Sequence, residues 1–310
     1  SITTGDSNVA VGMDSAYALT SGHRNIMIGR NSGATLTTQD DNVIIGYEAG
    51  NDTAGQKAVI IGNYAGDDNS PSNAVIIGYR AGRVINGENA TAIGYDALKS
   101  ATEPDNTAVG AYALQSLVDG ENNTALGIAA GYRIDKGDDS TFLGWYAGYN
   151  ATGSDNTFVG SQAGYGGTSS APYSSGQRNT AVGFQSIKDF TTQGNMVAIG
   201  YGAAESGGGT KSVYIGESAG KDSTSGTNVL VGYRAGYSMT DSNRTTAIGH
   251  QSLYNLTYSG YSKATAVGFN ALYSLVSQQG NTGIGYHAGY SVTGKENTIV
   301  GSEAGYYLVG

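Results

Sequence analysis

Asn106-Thr107-Ala108-Val109-Gly110 is followed, seventeen residues on, by Asn123-Thr124-Ala125-Leu126-Gly127. The same element recurs along the chain. A glycine preceded by an aliphatic residue appears eighteen times from Gly12 to Gly301, and fifteen of the seventeen intervals are 16 or 17 residues. The exceptions are 23 residues from Gly160 to Gly183 and 19 residues from Gly249 to Gly268. Around this anchor the register is strict. The preceding residue is Val, Ile or Leu every time, and three before the anchor stand ten Thr, seven Val and Ile26. Three after it stand fourteen Ala and four Ser, and the next position is Gly in eleven repeats. Asn occupies the position four before the anchor in ten. Disorder has no reason to keep such a register, and a fixed period of this length is the signature of stacked coils.

The three residues before each anchor read as a short strand, apolar or β-branched throughout. The predicted fold is all-β, a parallel β-solenoid or β-roll of about 18 coils of 16–17 residues. It forms one repeat array over 1–310, with insertions near 165–178 and 254–263. At ~4.8 Å per strand step the array is expected to be on the order of 80 Å long. The anchor glycine is expected to supply a bend or positive φ where a side chain would clash. After the small residue the repeats divide into two kinds. In one, Ala-Gly-Tyr closes the element; in the other, leucines three apart (Leu114/Leu117, Leu253/Leu256, Leu272/Leu275) suggest a short helical turn. A strand apolar on both faces is covered on both, and one coil interior covers only one of them. The other face predicts a second copy of the chain, with the middle residues Ile44, Ile60, Phe142, Phe158, Leu230 and Ile299 as candidate interface in a parallel homotrimer.

Composition narrows the function. Among 310 residues are 50 glycines and only 3 prolines, without the Gly-X-Y register of collagen. The net charge of −9 argues against nucleic acid and against an electrostatic grip on anionic membrane. No apolar run approaches the ~20 residues of a membrane-spanning helix, so no membrane insertion is expected. Cysteine is absent, which removes disulfides and thiol chemistry. The start at Ser1, and a repeat that runs through both ends, predict that the natural protein continues beyond this piece.

Segments such as Thr91-Ala92-Ile93-Gly94-Tyr95-Asp96-Ala97 and Val197-Ala198-Ile199-Gly200-Tyr201-Gly202-Ala203-Ala204 resemble the head repeats of trimeric autotransporter adhesins. The longer form N-T-A-I-G-Y-x-A-G-Y is still more similar to repeats in bacteriophage tail fibres. The resemblance covers essentially the whole chain. It implies a trimeric rod on a virion tail fibre, outside the cell, that presents or forms a host-recognition surface. Its period departs from the adhesin repeat, which is nearer 14 or 15 residues. The alternatives are an adhesin head on a bacterial surface, and a purely structural filament or spacer with no ligand.

Residues for catalysis, metal or cofactor do not assemble in the sequence. His23, His250 and His287 have no ligand spacing, and the pairs Asp40-Asp41, Asp67-Asp68 and Asp138-Asp139 fall in turns without a calcium-loop pattern. Gly207-Gly208-Gly209-Thr210-Lys211 lacks phosphate-loop spacing and reads as a turn. No enzymatic activity and no cofactor is expected. Aromatic residues carry the remaining signal: one column follows the anchor (Tyr79, Tyr95, Trp145, Phe184, Tyr201), and another follows Ala-Gly (Tyr132, Tyr149, Tyr237, Tyr290). These columns read as a stacked ladder or as a sugar-binding strip. Insertions in solenoids map to loops on one face, so Tyr165, Tyr173, Arg178, Tyr254, Tyr258 and Tyr261 are the candidate ligand-binding residues. The partner would be a cell-surface polysaccharide or protein receptor.

Overall fold

Each anchor glycine closes one step of a parallel ladder. In the computed structural model, which describes residues 4–52, 55–68, 72–167, 173–240, 242–256, 260–275 and 279–308, the chain forms two compact units, Ser1–Asp155 and Asn156–Gly310. Both are β-solenoids, and no helix occurs among the described residues. The first unit stacks nine three-residue strands from Val9–Val11 to Thr141–Leu143. Each is parallel and in register with the next, as in Val43↔Val59, Ile44↔Ile60 and Ile45↔Ile61. The second unit stacks nine more from Thr157–Val159 to Thr298–Val300. It adds smaller parallel sheets at its side. Ser242–Asn243 pairs with Gly260–Tyr261, and Asn255–Leu256, Ser274–Leu275, Ser291–Val292 and Tyr307–Leu308 form a second ladder.

The anchor is glycine for a steric reason. Gly78 has φ +140, and a Cβ there would lie 2.4 Å from the carbonyl oxygen of Gly94, the next anchor. The backbones of adjacent coils touch at this column, so no side chain fits. The chain turns its other corners through left-handed residues. In the coil anchored at Gly94 these are Asn89, Asp96 and Leu98, at φ 57, 51 and 46.

The strand face that forms the core is the opposite of the one expected to be inside. In every three-residue strand but the first, the middle residue is buried and the outer two are half-buried or exposed. Ile44, Ile60, Phe142, Phe158 and Leu230 are fully buried in the chain's own interior, and Ile299 is 7% exposed. They pack against the alanine column and the corner residues, so they have no surface to offer a second copy. The face left outward carries the β-branched and aliphatic pair of each strand.

The two repeat kinds share one backbone. Leu114 takes the left-handed position that Gly148 holds in the Ala-Gly-Tyr kind, at φ 47 and 61. Leu114, Leu117, Leu253, Leu256, Leu272 and Leu275 are fully buried. Their spacing of three reflects a corner that returns the chain to the interior, and Leu256 and Leu275 lie in the side ladder. The expected helical turn is therefore absent there. Interior space is shared between columns: a Cβ on Gly148 would sit 2.3 Å from the ring of Phe142.

The recurring asparagine ties coil to coil. Asn123 is fully buried. Its Oδ1 accepts the Ser140 backbone N–H at 3.1 Å, and its Nδ2 donates to the Gly137 carbonyl at 2.7 Å. Asn25, Asn42, Asn179 and Asn228 repeat the arrangement. In the coils that carry this asparagine, buried backbone groups at the corner before the strand thus find partners in a side-chain amide.

Candidate binding surface

Residues at one offset from the anchor superpose, so the aromatic residues form ladders. In the second unit Tyr237, Tyr254, Tyr273, Tyr290 and Tyr306 stack with centroids 5.1, 5.1, 4.9 and 4.8 Å apart and ring planes within 11°. A second ladder runs through Tyr233, His250, Phe269 and Tyr286. His287 joins the two, 4.0 Å from Tyr286 and 5.3 Å from Tyr290 by ring centroid. In the first unit Tyr47, Tyr64, Tyr79, Tyr95 and Tyr112 meet edge-on except for the stacked pair Tyr79 and Tyr95, and the Arg80 guanidinium lies over both of these rings. Parallel stacking at these distances covers ring faces and leaves edges and hydroxyls at the surface.

The six residues expected to bind ligand do not come together. Tyr254 belongs to the stacked ladder, and both faces of its ring are covered, by Tyr237 and Tyr273. It cannot offer a flat face to a sugar. Tyr261 is 54% exposed and carries the Arg244 guanidinium 4.4 Å above its ring. Tyr173 is 55% exposed, Tyr165 is half-buried, and Arg178 donates from Nε to Asn195 Oδ1 at 2.9 Å. Tyr258 lies outside the described residues. The strands that follow the two insertions, Thr180–Val182 and Thr265–Val267, are five ladder steps apart. That is about 24 Å. The ends of the second insertion are not free loop, since Asn255–Leu256 and Gly260–Tyr261 pair into the side sheets. Tyr273 was missed because it follows Leu272 rather than Ala-Gly; its fixed offset of five from Gly268 was the available signal.

The charged groups form links between coils. Arg24 bonds Asp41, which holds that carboxyl below the usual carboxylate range. Arg80 grips Asp96 with two hydrogen bonds, at 2.8 and 2.6 Å. Burial pushes the Asp67 carboxyl up, with Asp68 adding repulsion and Arg83 opposing it. His23 Nδ1 lies 2.9 Å from Asp6. Among the described residues no three His, Asp or Glu side chains gather as a metal site. The Gly207–Gly209 turn wraps a buried side chain, its Gly209 N–H donating to the Tyr214 hydroxyl at 2.8 Å. No protein-family model matches the chain, and no curated protein matches it. Among the described residues no helix is long and apolar enough to cross a membrane.

Proposed function

We propose that the chain is a structural segment of a bacteriophage tail fibre, a parallel homotrimer that presents or forms a recognition surface for a glycan on the host cell. One observation carries the assembly. Val, Ile or Leu stands outward beside the anchor in every coil, with Thr, Val or Ile at the other end of the strand, and the same offset holds throughout each unit. Nine strands of three residues make a strip of roughly 400 Å² in projection per unit, at ~4.8 Å spacing and ~3.3 Å rise. Exposed apolar patches of a few hundred Å² mark interaction sites. A second copy in parallel presents the same residue at every step, so it is the occupant that fits the whole strip. The repeat's resemblance to tail-fibre sequences supports the setting on a virion, outside the cell.

Light scattering tests the assembly: the mass should be three times 31.6 kDa, and a stable monomer overturns it. Binding of the labelled protein to bacterial cells and to a glycan array tests recognition. No binding to either leaves a structural spacer.

A further inference from the structure

One column of side chains on the first unit is interrupted at a single coil. Two residues past the anchor, successive coils carry Tyr64, Arg80, Asp96, Tyr112, Ala129 and Tyr146. From Asp14 to Tyr146 only Ala129 lacks a side chain beyond Cβ at this offset. The backbone continues unbroken beneath it. Tyr112, Ala129 and Tyr146 share a left-handed φ of 62, 53 and 55. Their N–H groups donate to the preceding coil at 2.8, 2.8 and 3.0 Å. What is missing is one side chain beyond Cβ, between two tyrosines two ladder steps apart, about 9.6 Å; Ala129 is 3% exposed and forms the floor between them. The resulting notch has a volume of about 280 Å³ and is lined by Tyr112, Ala129, Tyr132, Tyr146 and Tyr149. Its walls are fixed by contact with one another. Tyr132 and Tyr149 stack at 4.9 Å and 3°, Tyr112 stands edge-on to Tyr132 at 6.4 Å, and Tyr146 meets Tyr149 at 4.8 Å.

We propose that this notch binds a single pyranose ring of a saccharide. The volume falls just below the ~300–1,000 Å³ of drug-sized small-molecule pockets, which suits one ring. The lining is four phenols and no charged side chain. Each phenol has an apolar ring and a hydroxyl that both donates and accepts. A pyranose matches that mixture, since its C–H patches pack on ring carbon while its hydroxyls exchange hydrogen bonds with the phenols. An anion would want a cation among the lining residues, whereas the Arg133 guanidinium stands over the Tyr149 ring, 5.9 Å from its centroid, and a purely apolar guest would use only the ring carbon of the phenols. The choice of a sugar rests on the glycan-binding reading above; the notch itself does not.

The only tryptophan of the chain reports on the site: Trp145 is exposed, with its ring 4.4 Å from that of Tyr146. Tryptophan emission is titrated with methyl α-glucoside, methyl α-mannoside, methyl β-galactoside and N-acetylglucosamine, with phenol as the flat apolar control. At least one sugar should shift the emission. Ala129→Tyr should weaken that sugar at least about tenfold while leaving the urea unfolding midpoint in place, because tyrosine already stands at this φ on both sides. Tyr112→Ala should weaken it too. The proposal is overturned if none of the sugars shifts the emission, if phenol alone does, or if Ala129→Tyr binds the sugar as the unmodified chain does. The same two proteins on a glycan array separate this from the broader reading. Array binding that survives Ala129→Tyr removes the notch and keeps host recognition. Sugar titration with no array or cell binding by the unmodified chain keeps the notch and removes host recognition.

Discussion

At Gly78 the fold leaves no choice of residue, because φ +140 is closed to L side chains and a Cβ would lie 2.4 Å from a carbonyl oxygen of the next coil. Gly78→Ala should therefore destabilise the chain by more than about 3 kcal/mol, the range of combined backbone strain and overpacking. Gly202 is the contrast. Its φ is +57, nothing lies nearer to its Cβ position than 3.5 Å, and Ala129 already occupies the equivalent place at φ 53. Gly202→Ala should change stability by no more than about 1 kcal/mol; urea midpoints of the two variants decide. Asn123→Ala removes the partners of the Ser140 N–H and the Gly137 carbonyl, and should cost about 1–3 kcal/mol. Asp67 behaves differently because its native carboxyl sits above the usual range. The native state then holds the proton more tightly than the unfolded chain, so stability rises as pH falls through the native value towards ~3.9. Asp67→Asn should raise the urea midpoint at pH 7, and the gain should shrink to nothing below that range. A gain equal at pH 7 and pH 3 would assign the effect to something other than charge.

At the scale of the strand, a period-2 alternation that is apolar at every position fits either face as the interior, and burial decides between them. All three positions are apolar or β-branched, so no polar face marked the solvent side in the sequence. The occupants do differ in a way that follows from the fold. The middle position takes Ala, Gly, Ile, Leu, Met, Phe and Tyr, tuned to the space each coil encloses, whereas the outer positions keep one shape because they repeat along a surface. Phe142 and Phe158 fill coils whose following corner is Gly148 or Gly164, where a Cβ would meet the ring at 2.3 or 2.4 Å. Ile44→Asp should therefore prevent folding, since it buries an unpaired charge. Phe142→Ala should cost about 3–5 kcal/mol. If circular dichroism shows Ile44→Asp folded, the interior is misassigned. The anchor, the small interior residue and the turns were legible because each answers a steric demand that few residues meet. The leucine spacing misled because a solenoid corner and a helical turn both return residue i+3 to the side of residue i. The aromatic surface was half legible. Tyr79 and Tyr95 were grouped by their place after the anchor, while Tyr254 was assigned to an insertion although its offset places it in the ladder.

For the whole molecule, the question is what covers the outward strand face. In the strand Ile26–Ile28 the outer isoleucines are each 38% exposed and the middle Met27 is fully buried. Outer residues make little contact with their own interior, so charging them should leave the coil intact. Ile26→Asp and Ile28→Asp together, with Ile248→Asp as the matching change in the second unit (41% exposed), should keep the circular dichroism spectrum of the unmodified chain. If three copies pack on this face, the same variant places charge at every crossing of the modified coils. Like charges directly opposed in a desolvated interface are strongly disfavoured, and the mass by light scattering should fall from three chains to one. The unmodified protein should also dissociate on dilution in a concentration-dependent step that leaves its ellipticity in place, because assembly depends on protomer concentration while each coil keeps its own interior. Replacing an exposed residue of the first insertion, Tyr173→Ser, should leave the mass at three chains. A variant charged on the outer face that still sediments as a trimer would move the interface to another side of the coil. A variant that unfolds as a monomer at every concentration, together with a monomeric unmodified chain, would leave the apolar strip to a different partner.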